Sequence, residues 1–181
     1  MVEIPCPPDC AWLASAREHP AAVVVKQHQR DVDVLVQFLR DFNRRQAQLF
    51  LLIATFLVRY EPPELHPVID EDIVEAMGAL AATYETASHG LIYEHRPASL
   101  IAERLVTALK PLLSETGQGG GSAFERDAAV VLRRIAESAR AARQEDRRAF
   151  LDLLARTITR APDDDSGAQS DAVPPSRLIV P

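Results

Sequence analysis

Polar side chains with chemical potential are concentrated in one segment, residues 83–97, which reads TYETASHGLIYEHRP. Carboxylates and imidazoles are the groups that most often ligate metals or transfer protons in proteins. This segment is therefore the first candidate for a binding site. Its candidate ligand-binding residues are Tyr84, Glu85, His89, Glu94, His95 and Arg96.

The spacing of these residues is compatible with a metal site but does not require one. On a helix, Glu85 and His89 lie one turn apart on the same face, which suits either two metal ligands or an ordinary solvated pair. Neither the Glu-x-x-His pattern of di-iron bundles nor His-Glu-x-x-His occurs in the chain. We therefore predict no bound metal, no cofactor and no catalytic residue. Tyr84 and His95 are predicted to face inward and to form a buried polar contact.

Helical periodicity predicts the elements that would position this segment. Apolar residues recur at three- and four-residue steps over four stretches, at about residues 30–59, 70–95, 97–112 and 123–160. Pro97 suits the first turn of the third helix, which Pro111 is expected to kink or end. The fourth helix follows a glycine-rich linker at 117–121 and, if unbroken, is about 57 Å long. Apolar positions thin out near 143–147, so the sequence leaves open whether this helix is continuous or broken there.

The predicted fold class is all-α, an antiparallel four-helix bundle with a long C-terminal helix. The predicted domain organisation has three parts. Residues 1–28 form an N-terminal arm, residues 29–160 form the helical bundle domain, and residues 161–181 form a disordered C-terminal tail.

Composition argues against several classes of protein. The formal net charge is −6, and acids interrupt the arginines of the fourth helix, so we expect no nucleic-acid partner. The longest apolar run, residues 49–58, is half of the roughly 20 residues that a membrane-spanning helix needs, so we expect no membrane partner. Glu3 and several prolines occupy the place of a signal peptide, and Cys6 and Cys10 are too few for a disulfide framework. These features favour the cytoplasm.

Three functional interpretations follow, of which the first is preferred. A non-enzymatic helical protein–protein interaction module fits best, because the first helix is apolar on more than one face and the last one outruns its neighbours. Its expected partner is a second copy, as a homodimer, or another helical protein. The alternative is a ligand- or metal-binding helical bundle that uses the polar segment 83–96. The third is an enzyme with Glu85, His89 or His95 as acid–base groups, which nothing in the spacing demands.

Overall fold

Six α-helices and no strand make up the described part of the chain, residues 11–63, 66–142 and 146–158 of a computed structural model. The helices are α1 (Ala11–Leu39), α2 (Arg44–Arg59), α3 (Asp70–Ser88), α4 (Leu100–Thr116), α5 (Gly121–Ala142) and α6 (Ala149–Ile158). The all-α prediction is confirmed. The four-helix arrangement is not, because the first and last of the four predicted helices are each divided in two.

The division of the first predicted helix lies at residues 40–43. The side chain of Asn43 accepts a hydrogen bond from the backbone N–H of Gln46 (2.9 Å), and the Gln46 side chain accepts one from the backbone N–H of Asn43 (3.2 Å). This capping box gives the first turn of α2 the partners that a helix start lacks. The apolar stripe that predicted one helix therefore belongs to two, which meet through the rings of Phe38 and Phe50 (4.8 Å between centroids).

The second predicted helix ends at Ser88 instead of reaching residue 95, because Gly90 adopts a left-handed backbone conformation (φ 80°). The backbone N–H of Gly90 donates to the carbonyl of Ala87 (2.8 Å), and that of Leu91 donates to the carbonyl of Thr86 (3.0 Å). This pair of bonds is the Schellman ending, for which glycine is the favoured residue. Residues 91–95 therefore leave the helix on which they were predicted.

Residues 89–99, which we call the return segment, run back along α3 and determine the direction of α4. The backbone N–H of His95 donates to Thr83 Oγ1 (2.9 Å), and that of Ser99, four residues later, donates to Glu75 Oε2 near the start of α3 (2.8 Å). Because α4 begins after Ser99, beside the first turns of α3, it runs parallel to α3. This is a correction to the antiparallel prediction.

The third predicted helix begins and ends later than expected. Ser99 caps α4 by accepting from the backbone N–H of Ala102 (3.4 Å), so Pro97 precedes the helix. Pro111 neither ends α4 nor lies in the core. It is exposed, whereas Leu109 and Leu113 on either side are fully buried. The packing of this inner face holds the helix together although proline removes one backbone donor.

A tight turn, not an extended linker, joins α4 to α5 at residues 117–120. The Phe124 ring lies against it. A Cβ added to Gly117 would lie 2.6 Å from Phe124 Cε1, and one added to Gly120 would lie 2.5 Å from Phe124 Cβ. The glycines therefore allow the backbone to approach an aromatic side chain more closely than any other residue would.

The predicted long C-terminal helix is also wrong, because α5 ends at Ala142 and α6 begins at Ala149. Asp70, the first residue of α3, lies at the N-terminus of α6. Its carboxylate accepts from the backbone N–H groups of Phe150 (2.9 Å) and Leu151 (3.2 Å). A residue distant in sequence thus caps α6, which local sequence signals did not reveal.

The core is centred on α3 and α5, which share the most extensive helix–helix contact. These two helices are antiparallel, since Tyr84 at the end of α3 meets Phe124 at the start of α5 (ring centroids 6.0 Å apart) and Asp70 lies beside Arg147. The largest fully buried side chains come from all helices except α1: Phe50, Ile53, Ile73, Met77, Leu80, Leu105, Leu109, Leu113, Val131, Leu132, Ile135 and Leu154.

One predicted domain boundary, between residues 28 and 29, lies within the described residues. Helix α1 is continuous from Ala11 to Leu39 and so crosses the predicted boundary between an arm (1–28) and a bundle (29–160). The predictions for Cys6, Cys10 and the tail 161–181 lie outside the described residues. The division into three parts stays a prediction.

Candidate functional site

Glu85 and His89 do not form the pair that their spacing suggested. The carboxylate of Glu85 is bound by the guanidinium of Arg133, which ties α3 to α5 at the surface. His89 follows the last residue of α3, and its Nδ1 lies 2.8 Å from the backbone carbonyl of Glu85. The imidazole therefore helps to close the helix end, and the Glu85 side chain is engaged elsewhere.

Tyr84 and His95 also have separate environments. The half-buried Tyr84 packs edge-on against Phe124, and burial, with a smaller effect of the charge of Glu125, raises the pKa of its hydroxyl. The His95 ring packs edge-on against the exposed Tyr93 (4.7 Å between centroids). Within the described residues no hydrogen bond joins Tyr84 to His95. The predicted polar contact between them is therefore wrong, because His95 lies on the return segment and not on the helix.

Glu94 and Arg96 lie on the outer side of the return segment. A hydrogen bond from Lys110 Nζ (2.9 Å) lowers the pKa of Glu94, and the charge of Arg96 acts in the same direction with less effect. Both side chains are exposed. Glu94 links residues 89–99 to Lys110 of α4, and neither Glu94 nor Arg96 converges with the other four candidates on one pocket.

The described residues contain few candidates for other types of site. None of the six predicted residues lines any of three cavities in the described part of the chain. No group of three or more His, Cys, Asp or Glu side chains there could hold a metal ion. No helix among those described has both the length and the apolar composition to cross a membrane.

A cavity of about 470 Å³ lies where α1 crosses α2, α5 and α6. Aromatic and aliphatic side chains form most of its wall, among them Phe38, Phe50, Phe150 and Leu153. Its polar groups are the Asp31 and Arg156 side chains and the hydroxyl of Ser138. A largely apolar concave surface with a few converging polar groups is the usual form of a small-molecule site.

Asp31 and Arg156 hold α1 against α6 at the edge of this cavity. Asp31 is only 4% exposed, and its carboxylate accepts from Arg156 Nε (2.7 Å), Arg156 Nη2 (3.4 Å) and Gln27 Nε2 (2.9 Å). Burial opposes ionisation, but the hydrogen bonds from Arg156 and Gln27 outweigh it and lower the pKa of Asp31 below its ordinary value of 3.8. The acid is therefore charged and fully partnered at neutral pH.

Sequence reasoning missed Asp31, although a signal was present. The apolar stripe of α1 includes Leu35 and Phe38, and continuing it backwards by four residues reaches Asp31. An acid on the apolar face of an amphipathic helix requires a buried partner. The identity of that partner was not accessible, because Arg156 lies 125 positions further along the chain.

The α1 helix also carries apolar side chains that no helix in the described part of the chain covers. Val25 is 68% exposed and Val36 is 62% exposed, while Val32 between them is partly exposed. Steps of seven and four residues place these three valines along one side of the helix, next to the face that packs on α6. We call this row, Val25, Val32 and Val36, the valine stripe.

We predict that the Asp31 to Arg156 pair stabilises the fold by a measurable coupling. Asp31→Asn and Arg156→Gln should each lower the free energy of unfolding by about 1–2 kcal/mol, and a double-mutant cycle should give a coupling of about 1 kcal/mol, reduced because Arg156 is half-exposed. Urea denaturation measures both quantities. Asp33→Asn is the matched control, since Asp33 is exposed on the same helix.

The pH dependence of the same pair has a definite sign. Because the pKa of Asp31 is lowered in the folded state, its stabilising contribution is present above pH 3.8 and is lost as the pH falls through the folded-state value. The difference in stability between the wild type and Asp31→Asn should therefore shrink in acid. A difference that stays constant from pH 7 down to 3, or an Asp33→Asn variant that loses as much, would contradict this account.

No protein-family model, no curated protein and no solved structure matches the chain.

Proposed function

We propose that the protein is a non-enzymatic helical protein–protein interaction module and that α1 joins two copies into a homodimer. The observation that carries the proposal is the valine stripe. Exposed valines are ordinary one at a time, but a row along one side of a 29-residue helix is the form of an unfilled helix–helix contact. In this proposal α2 to α6 form the scaffold that presents α1, which is held to α6 by Asp31 and Arg156, and the cytoplasm is the site of action.

Charge supports a second copy as the occupant of the stripe. Between Val25 and Val36 the side of α1 that bears the stripe has no charged residue, and Gln29 is its polar position. In an antiparallel pair where Val25 faces Val36 of the second copy, Lys26 comes close to Asp33 of the second copy on the same side of the interface. The helix is therefore complementary to itself in both apolar surface and charge.

Sedimentation velocity tests the proposal directly. The wild type should change from monomer to dimer over roughly 1 to 100 µM, as expected for a modest interface. The double variant Val25→Glu/Val36→Glu should weaken the dimer by at least about tenfold, since it places four charges in the apolar contact of the dimer. Circular dichroism would show whether the variant is still folded.

A matched control separates the stripe from net charge. Arg30→Gln/Gln37→Glu changes the net charge by the same amount but alters the polar side of α1, away from the stripe. It should leave the dimer intact. A wild type that stays monomeric at the highest concentration, or a control that dissociates as readily as the stripe variant, would overturn the proposal.

The competing function, a ligand- or metal-binding bundle that uses residues 83–96, has less support. Glu85 is bound by Arg133, Glu94 is bound by Lys110, and His95 packs against Tyr93. No contact among the described residues gathers the six candidates around one point. That alternative stays a prediction without a geometric argument in its favour.

A further inference from the structure

We propose that the open cavity lined by α1, α2, α5 and α6 binds a medium-chain monocarboxylic acid, with the chain among the aromatic rings and the carboxylate at Arg156. The site is separate from the valine stripe and from residues 83–96. This proposal goes beyond the dimer, because it assigns a small-molecule ligand to the cavity between α1 and the rest of the fold.

The apolar walls of the cavity determine the apolar part of the ligand. Phe38 from α1, Phe50 from α2, and Phe150 and Leu153 from α6 present apolar surface from three helices. A space of about 470 Å³ lies within the usual range for small-molecule pockets and accommodates an apolar chain of roughly ten to twelve carbons. Burial of that chain supplies the main driving force for binding.

The polar groups of the cavity determine the polar end group of the ligand. Arg156 uses Nε and Nη2 for Asp31, so Nη1 and its two N–H groups are left for another acceptor. Ser138 adds a hydroxyl that has no hydrogen-bond partner within the described chain. Asp31 already accepts three hydrogen bonds, so its charge is compensated. The vacant groups are therefore donors, and a carboxylate is the acceptor that guanidinium binds best.

The Asp31 to Arg156 pair makes this arrangement specific. Asp31 holds the guanidinium at the edge of the cavity in a fixed orientation, so the arginine loses little side-chain freedom when a ligand binds. The same pair ties α1 to α6. Ligand binding is consequently expected to protect α1 from local opening.

Titration of the full-length protein with decanoate, below the concentration at which it forms micelles, tests the inference by isothermal calorimetry. We expect one saturable site per chain. Ala142→Phe, which fills the cavity from α5 without removing a polar group, should weaken decanoate binding by at least about tenfold. Arg156→Gln should weaken it by about five- to tenfold, and decan-1-ol should bind more weakly than decanoate to the wild type.

Two further measurements complete the test. Val25→Glu/Val36→Glu should bind decanoate as the wild type does, so failure of the dimer and failure of the ligand site are distinguishable. Hydrogen exchange of the α1 amides should slow when decanoate is added. Absence of saturable binding, unchanged binding to Ala142→Phe, or equal binding of decanol and decanoate would each overturn the proposal as stated.

Discussion

Replacing Asp70 with alanine should lower the free energy of unfolding by about 2–4 kcal/mol, the larger part of it from two backbone groups in another helix. Asp70 is fully buried at the N-terminus of α6, where the N–H groups of Phe150 and Leu151 donate to its two carboxylate oxygens. The alanine variant leaves both donors buried without partners. It also removes a negative charge from the positive end of the α6 dipole.

The variant Asp70→Asn is to be compared with Asp70→Ala. Its amide offers one oxygen, so one of the two donors keeps its partner while the other faces an NH₂ group. We expect about half the loss of the alanine variant. Glu137→Ala, at an exposed acidic position on α5, should change stability by less than about 0.5 kcal/mol. Urea denaturation of the three variants measures the series, and an alanine variant as stable as the Glu137 control would refute the capping role.

The pH dependence of Asp70 should have the opposite sign to that of Asp31. Burial raises the pKa of Asp70 above 3.8, although the hydrogen bonds from the backbone of Phe150 and Leu151 act to lower it. The folded state therefore binds the proton of the Asp70 carboxyl group more tightly than the unfolded chain does. Stability linked to Asp70 is fully present below pH 3.8 and declines as the pH rises through the folded-state value.

Ile135→Ala should lower the free energy of unfolding by about 3 kcal/mol, within the range of roughly 2–5 kcal/mol for truncating a buried aliphatic side chain. Ile135 is fully buried on α5, in the contact between α5 and α3 that forms the centre of the fold. The loss combines apolar surface no longer buried with the cavity left behind. Denaturant unfolding at constant m-value measures it.

A control for this prediction lies on the same helix. Val130 is 49% exposed, and Val130→Ala should cost less than about 0.5 kcal/mol because it removes little buried surface and places a better helix former on α5. Equal losses at positions 130 and 135 would mean that α5 does not pack with the face described here. The contrast between the two variants therefore tests the orientation of the central helix.

Helix content could be predicted from the sequence because it depends on local periodicity. The periodic apolar residues of the stretch 70–95 include Ile73, Met77 and Leu80, and all three are fully buried in α3. Helix ends were less accessible. The capping box at Asn43 and the Schellman ending at Gly90 both use ordinary local signals, but the apolar residues on either side of each continue the same periodic pattern.

The candidate site could not be predicted in the same way. A helical wheel placed Glu85, His89 and His95 by assuming one helix to residue 95, and the ending at Ser88 removed that assumption. The features that carry the ligand-site proposal depend on contacts between distant residues. Asp31 meets Arg156, and the cavity exists only where four helices cross.

The sequence alone determined that this protein is helical, since the spacing of its apolar residues allows few other ways to bury them. It also predicted that the stretch 30–59, which the structure divides between α1 and α2, is apolar on more than one face. The tertiary structure decided which acids are buried, which helix Asp70 caps, and that α3 and α4 run parallel. The physical reason is that periodicity is a property of neighbouring residues, whereas hydrogen bonds and packing between helices depend on how the whole chain closes on itself.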